Sequence, residues 1–181
     1  MEKILFQQLR NELVNGSSKK GHPFRYFTLA TNDASKNTRL RTVVLRKVSD
    51  DLTLTFYTDR RSVKIKHIEK NNSVSALFYH PKKLLQITMQ GTAVVETDMG
   101  HIESLWKGIQ TKARKDYTTY HAPGSFIKNP DEVEYLTDEN HFCVVHVQPS
   151  KIEYLRLKRP NHIRAAFEIK HGDWQGNFLV P

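Results

Sequence analysis

Apolar and polar positions change period along the chain, and the changes divide it into elements. Ile4, Leu5, Leu9, Glu12 and Leu13 recur at a mostly 3.6-residue spacing. This predicts a helix over 2–14, stopped by Asn15-Gly16, with residues 17–23 as a loop. Residues 24–31 alternate aromatic and polar groups, 32–38 are rich in turn formers, 39–48 are β-branched, and 52–58 alternate at period two. These segments predict hairpin-linked antiparallel strands. The period then lengthens. Val63, Ile65 and Ile68 predict a short helix over 62–70, ended by Asn71-Asn72. Strands are expected again at 73–79 and 84–96, the second with an interior Gly91 that signals a bulge or a close backbone approach. Residues 99–120 place Ile102, Leu105, Trp106 and Ile109 on one helical face, and 121–139 read as loop. Four more strands are expected at 141–148, 151–157, 163–169 and 174–180.

Eight or nine strands and two or three helices, without regular βαβ alternation, argue against a doubly wound parallel sheet. A closed or nearly closed antiparallel barrel with helices outside fits better, because closure removes exposed strand edges. Neither a repeat nor a low-complexity linker interrupts the 181 residues. One domain over 1–181 is therefore expected, with the helix at 1–14 packed outside the barrel.

Composition supports a folded chain. Apolar residues make up 38% and charged residues 26%, outside the disordered range. A chain of this length buries roughly 70% of its unfolded surface and needs no covalent staple. The single cysteine, Cys143, excludes an intramolecular disulfide and any multi-cysteine metal site. It lies in an apolar strand, Phe142-Cys143-Val144-Val145, where core packing is its expected role. No apolar run approaches the roughly 20 residues of a membrane-spanning helix, and the N-terminus lacks a signal-peptide core. A reduced, cytoplasmic protein is the expectation.

Charge adds the first functional hint. The formal net charge is +9, and residues 36–70 hold six of those nine charges, from ten basic and four acidic residues including Lys36, Arg39, Arg41, Arg46, Lys47, Arg60, Arg61, Lys64, Lys66 and Lys70. Residues 131–140 are biased the other way. Such a field concentrates anions. A phosphorylated small molecule, nucleic acid, an acidic segment of another copy, or simply a solvated basic surface would each account for it.

Several chemistries fail on spacing. Gly16 and Gly21 have phosphate-loop spacing, but His22-Pro23 follow where Lys-Ser/Thr is required, and the segment follows a helix. Neither a Gly-x-Gly-x-x-Gly nor a Gly-x-Ser-x-Gly string occurs. His141 and His146, five apart on a predicted strand, face opposite sides, and His162 and His171 have no carboxylate at ligand spacing. No metal site is expected.

One junction remains. Arg41-Thr42-Val43-Val44-Leu45-Arg46 lies on a strand, Phe56-Tyr57-Thr58 ends the next, and Asp59-Arg60-Arg61-Ser62-Val63-Lys64 opens a helix. Free N–H groups at a helix start, a lysine in its first turn and a neighbouring arginine form an anion site. The alternative is an ordinary Ser62 cap and a surface Lys64.

These strings, with the later S-A-L-F-Y-H-P-K-K-L-L-Q-I-T-M-Q-G, resemble the FMN-binding core of the pyridoxamine 5′-phosphate oxidase family. The closing P-S-K-I-E-Y-L, N-H-I-R and W-Q-G-N-F-L-V-P resemble its final hairpins, and S-L-W-K-G-I-Q-T-K-A-R-K-D-Y is more similar to an oxidase-related branch. The resemblance implies a mainly β, antiparallel split β-barrel with peripheral helices, and a homodimer with FMN in a cleft between subunits. It implies that Arg41 and Lys64 hold the FMN phosphate with Ser62 nearby. Thr42, Val43, Val44 and Leu45 would line the isoalloxazine through their backbone. Tyr57 and Thr58 would border the ribityl phosphate, Gln86 would reach the flavin from the second subunit, and Arg164 would contact the ring. Arg46, where the family uses lysine, would lie near both the flavin and the substrate phosphate, and His162 would meet substrate. Arg41 and Arg46 are five apart, so both serve one site only if the strand bulges or Arg46 reaches around.

Three positions depart from the family pattern. Val63 replaces a basic residue often found beside the lysine, Leu155 replaces a tryptophan, and Asn161-His162-Ile163-Arg164 lacks the leading arginine of Arg-x-His-x-Arg. The leading reading is an FMN-dependent oxidoreductase that takes a hydride at flavin N5 and passes electrons to oxygen or another acceptor, with a small-molecule substrate and no membrane partner. The alternative is a non-enzymatic flavin or haem carrier or sensor on the same barrel. A nucleic-acid-binding barrel is the third reading, and the lack of an RNA-binding signature counts against it.

Overall fold

The computed structural model describes residues 1–33, 35 and 37–181. Of the predicted turn at 32–38, Ala34 and Lys36 lie outside the described residues. Eight antiparallel strands run in chain order as β1 (Tyr26–Asn32), β2 (Thr38–Val48), β3 (Leu54–Asp59), β4 (Ser73–His80), β5 (Leu85–Val95), β6 (Phe142–Arg156), β7 (Ile163–Lys170) and β8 (Asp173–Leu179). Their order in the sheet is β3-β2-β1-β4-β5-β6-β7-β8, and β3 also pairs with β6. That pairing closes the first six strands into a barrel. The β7–β8 hairpin continues the sheet beyond it. Four helices stand outside: α1 (Glu2–Ser18), α2 (Val63–Lys70), α3 (Met99–Lys107) and α4 (Thr111–Arg114). None of the described helices is long and apolar enough to cross a membrane.

Alternation decides which side chains fill the barrel. Phe27 and Leu29, Val43 and Leu45, Leu54 and Phe56, Ala76 and Phe78, and Ile87 and Met89 are buried in one cluster. Cys143 is fully buried among them, and burial first of all pushes its thiol up to about 11, so it packs and does not react. α1 adds Leu5, Leu9 and Leu13 to the same core. It also meets the hairpin, where Phe6 lies 5.2 Å from Phe167 and 5.8 Å from Trp174 between ring centroids. α2 adds Ile65 and Ile68. A second, smaller cluster sits outside the wall, where Ile102, Leu105 and Trp106 of α3 cover Tyr57, Tyr117, Phe142 and Val144.

Three expectations are corrected. α1 does not stop at Asn15-Gly16 but runs to Ser18. Gly16 is buried inside it, and a Cβ there would stand 2.6 Å from Phe24 Cβ and 2.8 Å from the Phe24 carbonyl oxygen. The glycine is a packing device, not a terminator. Residues 99–120 do not form one helix: α3 ends at Lys107, and α4 and a 3-10 turn (Lys115–Tyr117) follow separately. The two strands expected at 141–148 and 151–157 are one, β6, with a register shift opposite Gln90/Gly91. Gly91 permits this, because any Cβ would lie 2.0 Å from the Gln148 carbonyl oxygen. Turn formers Pro149 and Ser150 mimic a strand boundary in sequence, and only the pairing with β5 carries the strand through them.

The Gly16 contact sets up a contest between two effects. Alanine gains about 1 kcal/mol of helix propensity over glycine, while overpacking against backbone costs about 1–3 kcal/mol. Gly16→Ala is expected to lower the unfolding midpoint in denaturant; a stabilised variant would show that α1 can move off Phe24.

Candidate functional site at the barrel split

β3 loses one of its two partners partway along. Leu45 of β2 pairs with Phe56, Lys47 with Thr55 and Val48 with Leu54. Beyond Phe56, residues Tyr57, Thr58 and Asp59 pair only with β6. On the other side, Arg41–Val44 of β2 pair only with β1. The two strands therefore diverge, and the edge of β2 from Arg41 to Val44 faces a gap with unpaired backbone polar groups. α2 starts at this gap, directly after β3.

Arg41 lies on the same side of β2 as Val43 and Leu45, so its side chain enters at the open end of the barrel. Its Nη1 donates to the Leu29 carbonyl oxygen at 3.2 Å and to Thr31 Oγ1 at 2.8 Å. Lys64, in the first turn of α2, donates from Nζ to Thr58 Oγ1 at 2.8 Å. Thr58 Oγ1 lies 3.4 Å from Ser62 Oγ. Ser62 is buried at the N-cap position, yet its side chain makes no capping bond. This geometry decides against the plainer alternative: Ser62 is not spent as a cap, and Lys64 is not a surface lysine.

Both cations are partly desolvated. Burial lowers the Arg41 pKa, with nearby Arg39 adding to it. Burial also lowers that of Lys64, and the Arg41 charge is the next largest cause. The two are thus close enough to repel, and among the described residues neither has a salt bridge. A nearby carboxylate, Asp59, is spent elsewhere: it takes Arg61 Nη2 at 2.8 Å and Nε at 3.1 Å. Arg61 in turn donates to the carbonyl oxygens of Thr119 at 2.7 Å and Tyr120 at 2.9 Å, clasping the 118–121 segment against the barrel. Two half-buried cations beside the Thr58 and Ser62 hydroxyls and an open helix start are chemically suited to a dianion.

The other expected residues are dispersed. A bulge does occur in β2, between Leu45 and Lys47. It does not bring Arg46 round to Arg41: alternation with the core residue Leu45 leaves Arg46 in the outer cluster, where the guanidinium lies 5.2 Å from the Tyr57 ring centroid. Its Nε is buried without a hydrogen-bond partner. Tyr57 alternates with Thr58 and so also faces outward, 4.9 Å from Phe142. Thr42 is exposed and Val44 half-buried on the outer face of β2, while Val43 and Leu45 are core. Gln86 is half-buried on β5, opposite Leu155 of β6, which is opposite Arg164 of β7. Arg164 donates to Glu153 at 2.9 Å, and that bond is the first cause of a lowered Glu153 pKa. His162 is exposed, with Nδ1 at the Lys158 backbone. Through the β3–β6 closure β7, like β5, is three strands from β2, about 14 Å at about 4.8 Å per strand, and Arg164 pairs with Leu155, far along β6 from Val144, the partner of Tyr57. One chain gathers Arg41, Thr58, Ser62, Lys64 and the Thr42–Leu45 edge, and leaves Gln86, Arg164 and His162 apart.

Two clusters each depend on a residue far away in the chain, His80 in one and His146 in the other. Glu12, His22 and His80 bring possible ligand atoms within 4.8 Å of one another. Their hydrogen bonds oppose a metal. Nδ1 of His22 accepts the Phe24 N–H and Nδ1 of His80 the Lys83 N–H, so each neutral ring carries its proton on Nε2. A ligating imidazole needs the reverse arrangement, and the Lys83 ammonium already sits on the Glu12 carboxylate. Glu96 is the second case: the Asp98 and Thr97 N–H groups, His101 and His146 surround it, and the Asp98 N–H first of all holds its carboxyl down at about 2. Both clusters tie elements together. Of the aromatics that suggested nucleic-acid stacking, Phe24 and Phe56 are in the core, Tyr57 lies beneath α3, and only Tyr26 is exposed.

Residues 3–97 match the model of a family described as pyridoxamine 5′-phosphate oxidase, FMN-binding domain. Arg41, Thr58, Ser62, Lys64 and Gln86 fall within that span, and His162 and Arg164 beyond it. Solved structures extend the likeness over the whole chain. A pyridoxamine 5′-phosphate oxidase-related, FMN-binding protein from Nostoc punctiforme is 22% identical, with 97% of this chain and 96% of that one covered at a TM-score of 0.79. PhzG from Burkholderia lata, crystallised with tetrahydrophenazine-1-carboxylic acid, is 18% identical, with 99% and 91% covered at 0.78. HupZ from Group A Streptococcus is 16% identical, with 82% and 94% covered at 0.53. At such identities the likeness is one of fold. Comparison with curated proteins gives no match.

The depressed Lys64 pKa fixes the sign of a pH effect. A phosphate pairs with the ammonium form, so FMN affinity is expected to fall as pH rises through a value below the ordinary 10.5 of lysine. Lys64→Arg stays charged and should lose that decline. Equal alkaline profiles for the two proteins, measured by flavin fluorescence titration, would remove Lys64 from the anion site.

Proposed function

The chain belongs to the pyridoxamine 5′-phosphate oxidase FMN-binding family, and from that premise we propose that it is an FMN-dependent oxidoreductase whose site is shared between two copies. The observation that carries the reading is the Arg41–Lys64 pair, two half-buried cations at the barrel split with no carboxylate among the described residues left to balance them. Arg41, Lys64, Thr58 and Ser62 would hold the FMN phosphate, and the open edge of Thr42, Val43 and Val44, with Leu45 where β3 begins to pair, would meet the ring with backbone polar groups. Bound FMN supplies hydride chemistry at its N5, with oxygen or another acceptor taking the electrons. The protein's part is to bind, orient and set the local charge. Arg164 is the cation available for the pyrimidine edge of the ring, balanced in the single chain by Glu153.

The two-copy arrangement rests on distance and on an exposed face. Gln86 and Arg164 stand too far along the sheet to reach a ligand at the Arg41–Lys64 gap of their own chain. The outer face that carries them continues through β4, β1 and β2, where Leu77 is 37%, Tyr79 50%, Tyr26 60% and Leu40 68% exposed. An apolar stripe of this size on one sheet face is the mark of an interaction surface. A second copy laid on it would bring its own Gln86 and Arg164 to the first copy's gap, as an isologous contact requires.

A spectroscopic screen tests the activity. The purified protein is expected to be yellow, to release FMN on denaturation, and to lose oxidised-flavin absorbance anaerobically with one of pyridoxamine phosphate, pyridoxine phosphate, NADH, NADPH or a reduced heteroaromatic acid. The last donor is included because PhzG binds a compound of that kind. Protein that stays colourless and binds no added FMN sinks the reading. Protein that binds FMN and is reduced by none of these donors supports a carrier or sensor instead. The shared site has its own test. Leu77→Glu is expected to yield a monomer by sedimentation and to weaken FMN binding by about tenfold or more, the scale of losing charged hydrogen bonds. A monomer that keeps wild-type affinity would show the site to be complete in one chain.

A further inference from the structure

Arg41 is held by a side chain that none of the expected site residues includes. Thr31, fully buried near the end of β1, accepts from Arg41 Nη1 at 2.8 Å, and its Oγ1 also lies 3.0 Å from His67 Nδ1. A guanidinium only donates. Thr31 Oγ1 must therefore accept from Arg41, and its single hydrogen is free to go to His67 Nδ1. The direction of the Arg41 bond follows from chemistry, while that of the Thr31–His67 bond is set by the His67 tautomer. His67 is itself buried, on α2, three residues after Lys64 and so on a neighbouring face of that helix. The hydroxyl thus links the strand pair that carries Arg41 to the helix that carries Lys64. Arg41 Nη1 is used up by Thr31 and the Leu29 carbonyl, and Nε and Nη2 have no partner among the described residues.

We infer that Thr31 and His67 are positioning residues for the phosphate-binding pair, a role that rests on the FMN reading above. They fix which edge of the Arg41 guanidinium faces the gap, and they hold the two cations at a set separation against their mutual repulsion. Neither touches the ligand. The energy that holds like charges together without an anion comes in part from this buried hydrogen-bonded chain, which an apolar replacement would break.

The test compares FMN with riboflavin, which lacks the phosphate, in fluorescence titrations of the full-length protein and its variants. Thr31→Val keeps the shape and removes the acceptor. It is expected to weaken FMN by about tenfold, the scale of one hydrogen bond to a charged group, with riboflavin affinity unchanged within about twofold. Thr31→Ser should restore FMN binding. In an Arg41→Met background, Thr31→Val should add nothing, because the two act through one contact. His67→Phe, which leaves the Arg41–Thr31 bond but removes its anchor on α2, should also weaken FMN selectively and serves if Thr31→Val does not fold. Equal losses for FMN and riboflavin, or additive losses in the double variant, would mean that the chain is only structural, and the inference is overturned. If Arg41→Met itself leaves the FMN-to-riboflavin ratio unchanged, the phosphate reading fails, and with it this one. If Arg41→Met abolishes the ratio and neither Thr31→Val nor His67→Phe does, the positioning role alone is overturned.

Discussion

Two like charges share a partly buried gap, and the rest of the molecule is arranged to tolerate that. Arg41 and Lys64 each lose hydration on folding, and Lys64 sits in the repulsive field of Arg41. In water such a pair would separate; here the backbone prevents it. β2 is pinned by β1, α2 is pinned by Ile65 and Ile68 in the core, and the hydroxyls of Thr31 and Thr58 take one hydrogen bond from each cation. A dianion placed between them relieves a cost already incurred in folding. That is preorganisation in the electrostatic sense, with the donors in place before the ligand arrives.

The split in the barrel is what makes the gap possible. A continuous β2–β3 ladder would close the wall and bury Arg41 against apolar neighbours. Instead β3 gives up β2 after Phe56 and runs on with β6 alone. The bulge in β2 lies next to the place where the two strands part, and Arg46 there packs in the outer aromatic cluster. β3 keeps β6 along its whole length, so the loss of β2 opens the gap without freeing the other edge of β3.

Charge elsewhere is mostly spent. Asp59 and Arg61 neutralise each other and clasp the segment after α4. Glu12 is held by Lys83 and His22, and Glu96 by backbone N–H groups and two histidines. Among the described residues the basic excess at 36–70 therefore divides into Arg61, spent on Asp59, Arg46, packed over the Tyr57 ring, exposed groups such as Arg39, Lys47, Arg60, Lys66 and Lys70, and the Arg41–Lys64 pair. Only the last two have the burial and the mutual approach that select a compact anion over a diffuse polyanion.

Periodicity along the chain determined the class of the fold, because strand and helix spacing are local properties. The strands at 39–48, 52–58, 73–79 and 84–96 were legible to within a few residues, and so was the helix that opens near Ser62. The close approach at Gly91 was legible too, since a glycine inside an alternating strand marks a place where a side chain would not fit. The Arg41–Lys64 pair could be named from the strand-to-helix junction, but its approach across the split is a property of pairing register, which no single segment contains. For the same reason Gly16 looked like a helix stop: the residue that requires it, Phe24, belongs to a different element. Pro149 and Ser150 looked like a strand end because their partner strand is distant in sequence. The Thr31–Arg41–His67 chain and the Glu12–His22–His80 cluster join residues ten to sixty-eight positions apart. Only the folded chain brings those side chains within bonding distance, because hydrogen bonds act over a few ångströms and residue order sets no distance beyond a turn.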